Sequence, residues 1–241
     1  MKDKRQVMKN VTIPDKGIRR LSFFLAMEDY VAGKVEGDAF FVWQSDPTVI
    51  IGRNQDLEAE VNIPYCMENG ITIVRRKSGG GCVYSDSGNI MVSYISRRGD
   101  VASVFDRYLD SLTSCLRTVG LDAQRSERND VMVCGMKVSG NAFHQLPDRS
   151  IVHGTLLFSS DFDALEQAIR PPVEKLTRHG IRSVRQRVAN LSGYLGDDWS
   201  IERVKQHLVE YFCDDEIRLD HDDVRNILEL EKQYEPHNYG R

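Results

Sequence analysis

Arg75-Arg76-Lys77-Ser78-Gly79-Gly80-Gly81-Cys82-Val83-Tyr84 is the stretch on which the reading of this chain turns. It follows a short apolar run, Ile71-Thr72-Ile73-Val74, and leads into a second one around Cys82–Tyr84, which predicts a strand, a glycine turn and another strand. Three successive glycines carry no Cβ, so their backbone N–H groups can come close to a ligand and tolerate positive φ. Two arginines and a lysine stand directly before them. Exposed amides beside cations suit an anion, most simply a phosphate. A hairpin turn with a solvated basic flank fits the same residues, and the stretch alone does not choose between the two.

The rest of the chain narrows the choice. At 241 residues and 41% hydrophobic content it is long enough for one large domain with its own core. A formal net charge of −4 lacks the strongly basic signature of a nucleic-acid binder, so no nucleic-acid partner is expected. No apolar run approaches the ~18 residues of a membrane span, and Met1-Lys2-Asp3-Lys4-Arg5 leads into no apolar segment of a secretion signal. A cytoplasmic location without a membrane partner is the expectation. Five cysteines (Cys66, Cys82, Cys115, Cys134 and Cys213), odd in number and without a CxxC pair, support neither a disulfide framework nor a zinc ribbon.

Residues 7–13 read as an edge strand closed by Pro14, and Leu21 to Val35 as an untidy helix. Ala39–Trp43 and Thr48–Ile51 read as strands around the Ser45-Asp46-Pro47 turn. Asn62 is expected to cap a short helix with Pro64 in its first turn, and Asn89–Ser96 to form a longer strand. Ser103 to Val119 carries the clearest helical stripe, with Ser103 and Asp106 as a capping box, Gly120 as the stop and Cys115 on the core face. Strands are expected at Asp130–Val133, Met136–Phe143 and Ile151–Phe158, and helices at 161–170, 200–212 and 222–234. Strand clusters interrupted by separate helices argue for an α+β fold rather than a doubly wound sheet.

Several chemistries are excluded by pattern. The glycine stretch lacks the Gly-Lys-Ser/Thr of a Walker A loop, a dinucleotide fingerprint is broken at Tyr84, and no HExxH or GxSxG occurs. A second polar cluster stands out: Asn129-Asp130, Lys137-Val138-Ser139-Gly140 and His153-Gly154-Thr155. A lysine flanked by small residues can point into a cavity as a mobile charge. A surface-facing strand lysine and a packed histidine fit those residues as well. Lys175, Arg178, Arg182, Arg185 and Arg187 form a run of cations without an acid, which a solvated face would also explain.

Taken together and in order, these stretches resemble the lipoate–protein ligase A family of the biotin/lipoate ligase superfamily. The resemblance covers roughly residues 20–192. It rests on the Arg75–Gly81 stretch with Gly88-Asn89, on Asn129-Asp130, Lys137–Gly140 and His153-Gly154-Thr155-Leu156-Leu157, and on Gly180-Ile181-Arg182-Ser183-Val184-Arg185. Trp43 and the Leu25-Ala26-Met27-Glu28 helix also fit it. The resemblance implies a class II synthetase-like α+β fold, a mixed β-sheet with flanking helices. It also implies a two-step reaction. Lipoate attacks the α-phosphorus of ATP to give lipoyl-AMP and pyrophosphate, and a lysine of an acceptor then takes the lipoyl group as an amide.

By the same resemblance Lys137 is the catalytic residue. Arg76, Ser78, Gly79, Gly80, Gly81, Cys82, Tyr84, Asn89, Asn129, Asp130, Ser139, Gly140, His153, Gly154 and Thr155 would bind ATP and the adenylate. Trp43, with Tyr84, would line the lipoate pocket, and Gly180, Arg182, Ser183 and Val184 would fold over the intermediate. Asp130 would hold Mg²⁺, ATP and lipoate would be substrates, and no tightly bound cofactor is expected. Lys77 and Cys82 stand where the family often has small residues. The implied acceptors are lipoyl-domain proteins, a 2-oxoacid dehydrogenase E2 or a glycine cleavage H protein. Residues 1–241 read as a single catalytic domain without the family's C-terminal accessory domain, so a separate accessory subunit is a further expectation. An octanoyl or lipoyl transferase working through a cysteine thioester at Cys82 or Cys134, or through a carrier or preformed adenylate, and a non-enzymatic adenylate sensor are the alternatives. The biotin ligase glycine-arginine motif is not found.

Overall fold

A computed structural model describes residues 8–15, 19–170, 185 and 187–234. Its centre is an eight-stranded mixed sheet in the order β11-β1-β2-β6-β10-β9-β8-β7. These strands are β1 (Met8–Thr12), β2 (Asp38–Trp43), β6 (Asn89–Arg97), β7 (Ala123–Arg125), β8 (Asp130–Val133), β9 (Met136–Gln145), β10 (Arg149–Leu157) and β11 (Asp215–Arg218). A second sheet, β4-β3-β5, is built from β3 (Thr48–Ile51), β4 (Thr72–Arg75) and β5 (Val83–Ser85). The expected α+β architecture is what the chain adopts.

Helices cover both faces of the large sheet because its central strands are apolar on both sides. On one face α4 (Val101–Thr118) sets Tyr108, Leu109, Leu112, Cys115 and Leu116 into a core shared with Val204 and Leu208 of α6 (Ile201–Phe212). On the other, α1 (Leu21–Lys34) packs with Val224 and Ile227 of α7 (His221–Glu231). This explains the untidy pattern of α1. Enclosed between the sheet and α7, it buries nine residues, including Ser22 and Glu28, so no single stripe marks it. The small sheet has its own core with α3 (Ile63–Glu68) and α5 (Phe162–Ala168). Between β3 and α3 lies a single turn of helix, α2 (Leu57–Glu60). Among the described residues no helix is long and apolar enough to cross a membrane.

Three expectations are corrected. The strand at 7–13 is not an edge, because β1 pairs in parallel with β2 on one side and with β11 on the other. The sequence of β11, Asp-Glu-Ile-Arg, is too polar and short to announce a strand. The cap of α4 is Asp100 rather than Ser103, since the Asp100 carboxylate accepts from the Ser103 amide at 3.0 Å and the helix starts two residues earlier than expected. Asn62 does precede α3, but its side chain makes no cap. It donates to the Gln167 carbonyl and accepts from Arg170 instead.

The glycine stretch is not a hairpin. β4 and β5 never pair with each other; both flank β3, β4 in parallel and β5 antiparallel. The chain from Arg76 to Cys82 therefore arches over the end of β3 and faces the large sheet.

Candidate active site

Residues from that arch and from β6, β8, β9 and β10 meet around a cavity of about 260 Å³. Arg76 shapes the arch from inside. It is 5% exposed, and its guanidinium donates to Ser78 Oγ (2.9 Å) and to the carbonyls of Gly79 (2.6 Å), Gly81 (2.8 Å) and Ile50 (3.2 Å). Burial lowers its pKa to about 10, so it still carries its charge at neutral pH. Among the described residues its hydrogen bonds go to oxygens that bear no formal charge, which leaves its positive charge to act on the cavity. Gly80 takes φ +91°, a value that costs a side chain strain, and Gly52 at the end of β3 has room only for hydrogen. A Cβ at Gly52 would lie 2.2 Å from the Gly80 carbonyl oxygen.

Opposite the arch, β8 and β9 form a hairpin around Cys134 and Gly135, both at positive φ. A register shift between Val131 and Met132 sets Asp130 against Gly140 and Met132 against Lys137. The Lys137 ammonium lies 2.8 Å from Asp130 Oδ1, and Arg187 reaches Asp130 Oδ2 at 2.5 Å. Residues 187–189 run beside the start of β9, with Lys137 N donating to Arg187 O and Ala189 N to Lys137 O. Gly140 makes room for the lysine, because a Cβ there would sit 2.6 Å from Lys137 Nζ and 2.8 Å from Cε. The spacing Lys-Val-Ser-Gly thus has a steric cause: the long side chain lies across the glycine three residues on.

A third set of contacts fixes the Asn129-Asp130 corner. Asn141 donates to the Asn129 carbonyl from both its backbone (3.1 Å) and its amide (2.8 Å), and the Asn129 amide donates back to Asn141 O. The Tyr108 hydroxyl donates to Asn141 Oδ1 at 3.0 Å. Gly154 is required beside it, since a Cβ would fall 1.9 Å from that oxygen. His153, on β10, bridges Glu28 of α1 (Nδ1 to Oε2, 2.8 Å) and Ser78 of the arch (Nε2 to Oγ, 2.7 Å). Thr155 Oγ1 sits 3.3 Å from the Gly140 amide.

Among the described residues, four cationic side chains (Arg76, Arg128, Lys137 and Arg187) and one carboxylate, Asp130, line this cavity. The rest of the wall combines the apolar side chains of Leu25, Ile50, Val83, Met91 and Ala142, with Cys82, and the polar ones of Asn129, Asn141, His153 and Thr155 among glycines. Burial pushes the Cys82 thiol up to about 12, so it stays protonated. Among the described residues no three His, Cys, Asp or Glu side chains group as a metal site. A cavity lined by both apolar side chains and several cations suits an apolar chain with an anionic head.

Residues 21–213 match the family model of the lipoyl protein ligase A/B catalytic domain. The chain belongs to this family. It is 35% identical over 230 residues to the lipoate–protein ligase LplJ of Bacillus subtilis, covering 90% of this chain and 70% of that relative. Among solved structures it is similar to the bi-partite lipoate protein ligase of Thermoplasma acidophilum, studied with its E2 lipoyl domain. There the TM-score is 0.82 at 26% identity, over 95% of this chain and 93% of the other. A lipoate–protein ligase A bound with ATP has a TM-score of 0.78 at 25% identity, over 95% and 94% of the two chains.

Of the residues expected at the ligase site, Arg76, Gly80, Gly81, Cys82, Asn129, Asp130, Lys137, Gly140, His153, Gly154 and Thr155 line the cavity. Ser78 and Gly79 serve the arch by holding Arg76. Ser139 and Asn89 are wholly buried behind the wall, bonded to Asn141 and Ser85 respectively. Trp43 and Tyr84 are placed elsewhere. Trp43 stacks on Phe24 at 4.5 Å and donates to Ser93 Oγ, while its cross-strand partner Met91 holds the wall position. Tyr84 points into the core of the small sheet because strand alternation gives the cavity face to Val83. Gly180, Arg182, Ser183 and Val184 lie outside the described residues. Sequence reasoning missed Asn141 and Arg128, and the apolar wall at Ile50, Met91 and Ala142. Asn141 follows Gly140 directly, and its short polar side chain in a strand was the available signal.

Proposed function

We propose that this cavity carries out both half-reactions of a lipoate–protein ligase, with lipoyl-AMP as the intermediate held between them. The observation that carries the reading is the Lys137 ammonium fixed between Asp130 and Gly140, in a cavity lined by both cationic and apolar side chains. In the first step the lipoate carboxylate attacks the α-phosphorus of ATP and pyrophosphate leaves. In the second, the amine of an acceptor lysine attacks the acyl carbonyl, AMP leaves and an amide forms. Both nucleophiles belong to substrates, so the protein supplies position and charge. Lys137 is the group assigned to the reacting carboxylate and phosphate, and the Gly80 and Gly81 amides to the intermediate's anionic end. Arg76 acts one step back, holding those amides in place. The acyl chain is assigned to Leu25, Ile50, Val83, Met91 and Ala142. The ATP-bound relative supports the nucleotide, and the bi-partite ligase with its E2 lipoyl domain supports a lipoyl-domain acceptor.

Mg²⁺ at Asp130 fits this donor set poorly. Among the described residues Asp130 is the one carboxylate on the wall, both its oxygens accept from cations, and a Mg²⁺ site wants about six oxygens. A magnesium ion entering with ATP would be held mainly by the nucleotide's own oxygens. The thioester alternative is disfavoured by the same geometry. Cys82 is kept as a thiol, and Cys134 is exposed on the β8–β9 turn, away from the cavity wall.

The test is intact-mass analysis of candidate acceptor domains after incubation with the chain, lipoate and ATP, beside parallel reactions with preformed lipoyl-AMP. Lipoylation from lipoate and ATP supports both half-reactions, lipoylation from lipoyl-AMP alone supports the transfer step and removes adenylation from the reading, and none from either donor overturns it. Faster transfer from lipoyl-AMP than from lipoate plus ATP is the outcome proposed for a chain that works with a second part, by analogy with the bi-partite relative.

A further inference from the structure

The arch is gripped from α1 at two successive residues. Glu28 holds Ser78 through His153, and this grip is buried: Glu28 is 3% and Ser78 1% exposed. Ser78–His153–Glu28 has the outline of a hydrolase triad, but Ser78 Oγ accepts from Arg76 Nε at 2.9 Å and does not reach the cavity wall. The hydroxyl is a strut rather than a nucleophile. The second grip is built differently. Asp29 Oδ2 accepts from Lys77 Nζ at 2.6 Å and from the Tyr234 hydroxyl at 2.7 Å, and the Lys77 ammonium lies 4.7 Å from the centre of the Tyr234 ring. Burial, and after it the Asp29 carboxylate, pushes the Tyr234 phenol up, so it remains a donor. Tyr234 is 5% exposed and ends the single 3₁₀ turn that follows α7.

We propose that Asp29 and Tyr234 are positioning residues for the ligase reaction. They hold the arch through Lys77 so that the Gly80 and Gly81 amides face the adenylate. Neither of them, nor Lys77, lines the cavity. Their effect is therefore on affinity for the intermediate rather than on the charge delivered by Lys137. The arrangement also links the turn after α7 to the arch, so a shift of that turn reaches the nucleotide end of the cavity without touching the sheet. This inference rests on the cavity being the lipoyl-adenylate site.

The experiment measures three quantities for wild type, Asp29→Asn, Lys77→Met, Lys77→Arg and Tyr234→Phe. They are the affinity for a non-hydrolysable lipoyl-adenylate analogue by calorimetry, the transfer rate at saturating lipoyl-AMP, and the melting temperature. Asp29→Asn and Lys77→Met are expected to weaken binding about tenfold, with the saturated transfer rate nearly unchanged. Lys77→Arg, which keeps the charge and the ring contact, should recover most of that loss, and Tyr234→Phe should show a smaller one. If wild type binds the analogue and Asp29→Asn and Lys77→Met bind it equally well, the proposal is overturned, whatever their melting temperatures. If wild type does not bind it, the adenylate reading of the cavity falls and the proposal falls with it.

Discussion

Replacing Gly140 by alanine tests whether the glycine beneath Lys137 sets where its charge acts. The new Cβ would sit 2.6 Å from Lys137 Nζ, 2.8 Å from Cε and 3.6 Å from Asp130 Oδ1. Non-bonded heavy atoms settle at about 3.5–4.0 Å, so the ammonium must retreat by roughly 1 Å. The obstruction is the far end of a flexible side chain, and Gly140 lies in β9 without a positive φ, so the fold can accept the methyl at little cost. The chemistry cannot, because a misplacement of about 1 Å costs roughly 10²-fold in rate, or about 2.7 kcal/mol of barrier. Single-turnover transfer from preformed lipoyl-AMP, read by intact mass, should therefore slow by about that factor, while the melting temperature stays within about 2 °C of wild type. Wild-type turnover in Gly140→Ala would refute the claim that the placement of Lys137 governs the reaction. Slow turnover together with a large fall in melting temperature would instead implicate the strand.

Lys137→Ala should cost roughly 10²–10³-fold in rate with the fold retained, and near-wild-type turnover would remove Lys137 from the mechanism. Gly80→Val places a branched side chain at φ +91° with its Cβ 2.9 Å from Arg76 Nη2, and should abolish binding of a lipoyl-adenylate analogue. Unchanged affinity would reduce the arch to a turn. Burial raises the Cys82 and Cys115 thiols from 9.0 to about 12. Between those values the unfolded chain has lost protons that the folded chain keeps, so stability should fall as pH rises, by about 1.4 kcal/mol per pH unit for each thiol. Urea midpoints at pH 8 and 10.5 for wild type and Cys115→Ala check this, and an identical alkaline loss in the variant would exclude that thiol as a source.

The glycines that shape the cavity were legible because each is needed for a local reason. Gly80, Gly140 and Gly154 are glycines where a Cβ would strike Arg76, Lys137 and Asn141, and each lies in a short stretch whose composition stands out. Strand positions such as Thr48–Ile51 and Asp130–Val133 matched residue for residue, since branched and apolar runs between turn residues leave little freedom. The hairpin alternative for the glycine stretch could not be excluded from local signals, because β4 and β5 are separated by β3, a partner more than twenty residues upstream. Trp43 and Tyr84 misled for a related reason. An aromatic side chain near a site looks like a pocket wall until the structure shows that alternation gives that place to Val83 rather than Tyr84, and that Trp43, on the same face as its partner Met91, is taken up by Phe24 and Ser93. The edge status of β1 depended on β11, some two hundred residues away and carrying three charged side chains in four.

The charge arrangement also explains why Asp130 sits where it does. A wall with Lys137 and Arg187 side by side is suited to phosphate, yet without an anion the two would repel each other. Asp130, 4% exposed, accepts from both. It keeps the ammonium and the guanidinium converged on one point at the edge of the cavity. In the proposed reading a bound adenylate would bring its own negative charge to that point and take over the neutralising role, with Asp130 left to orient rather than to compensate. On this argument a carboxylate in the site is the condition for concentrating cations there.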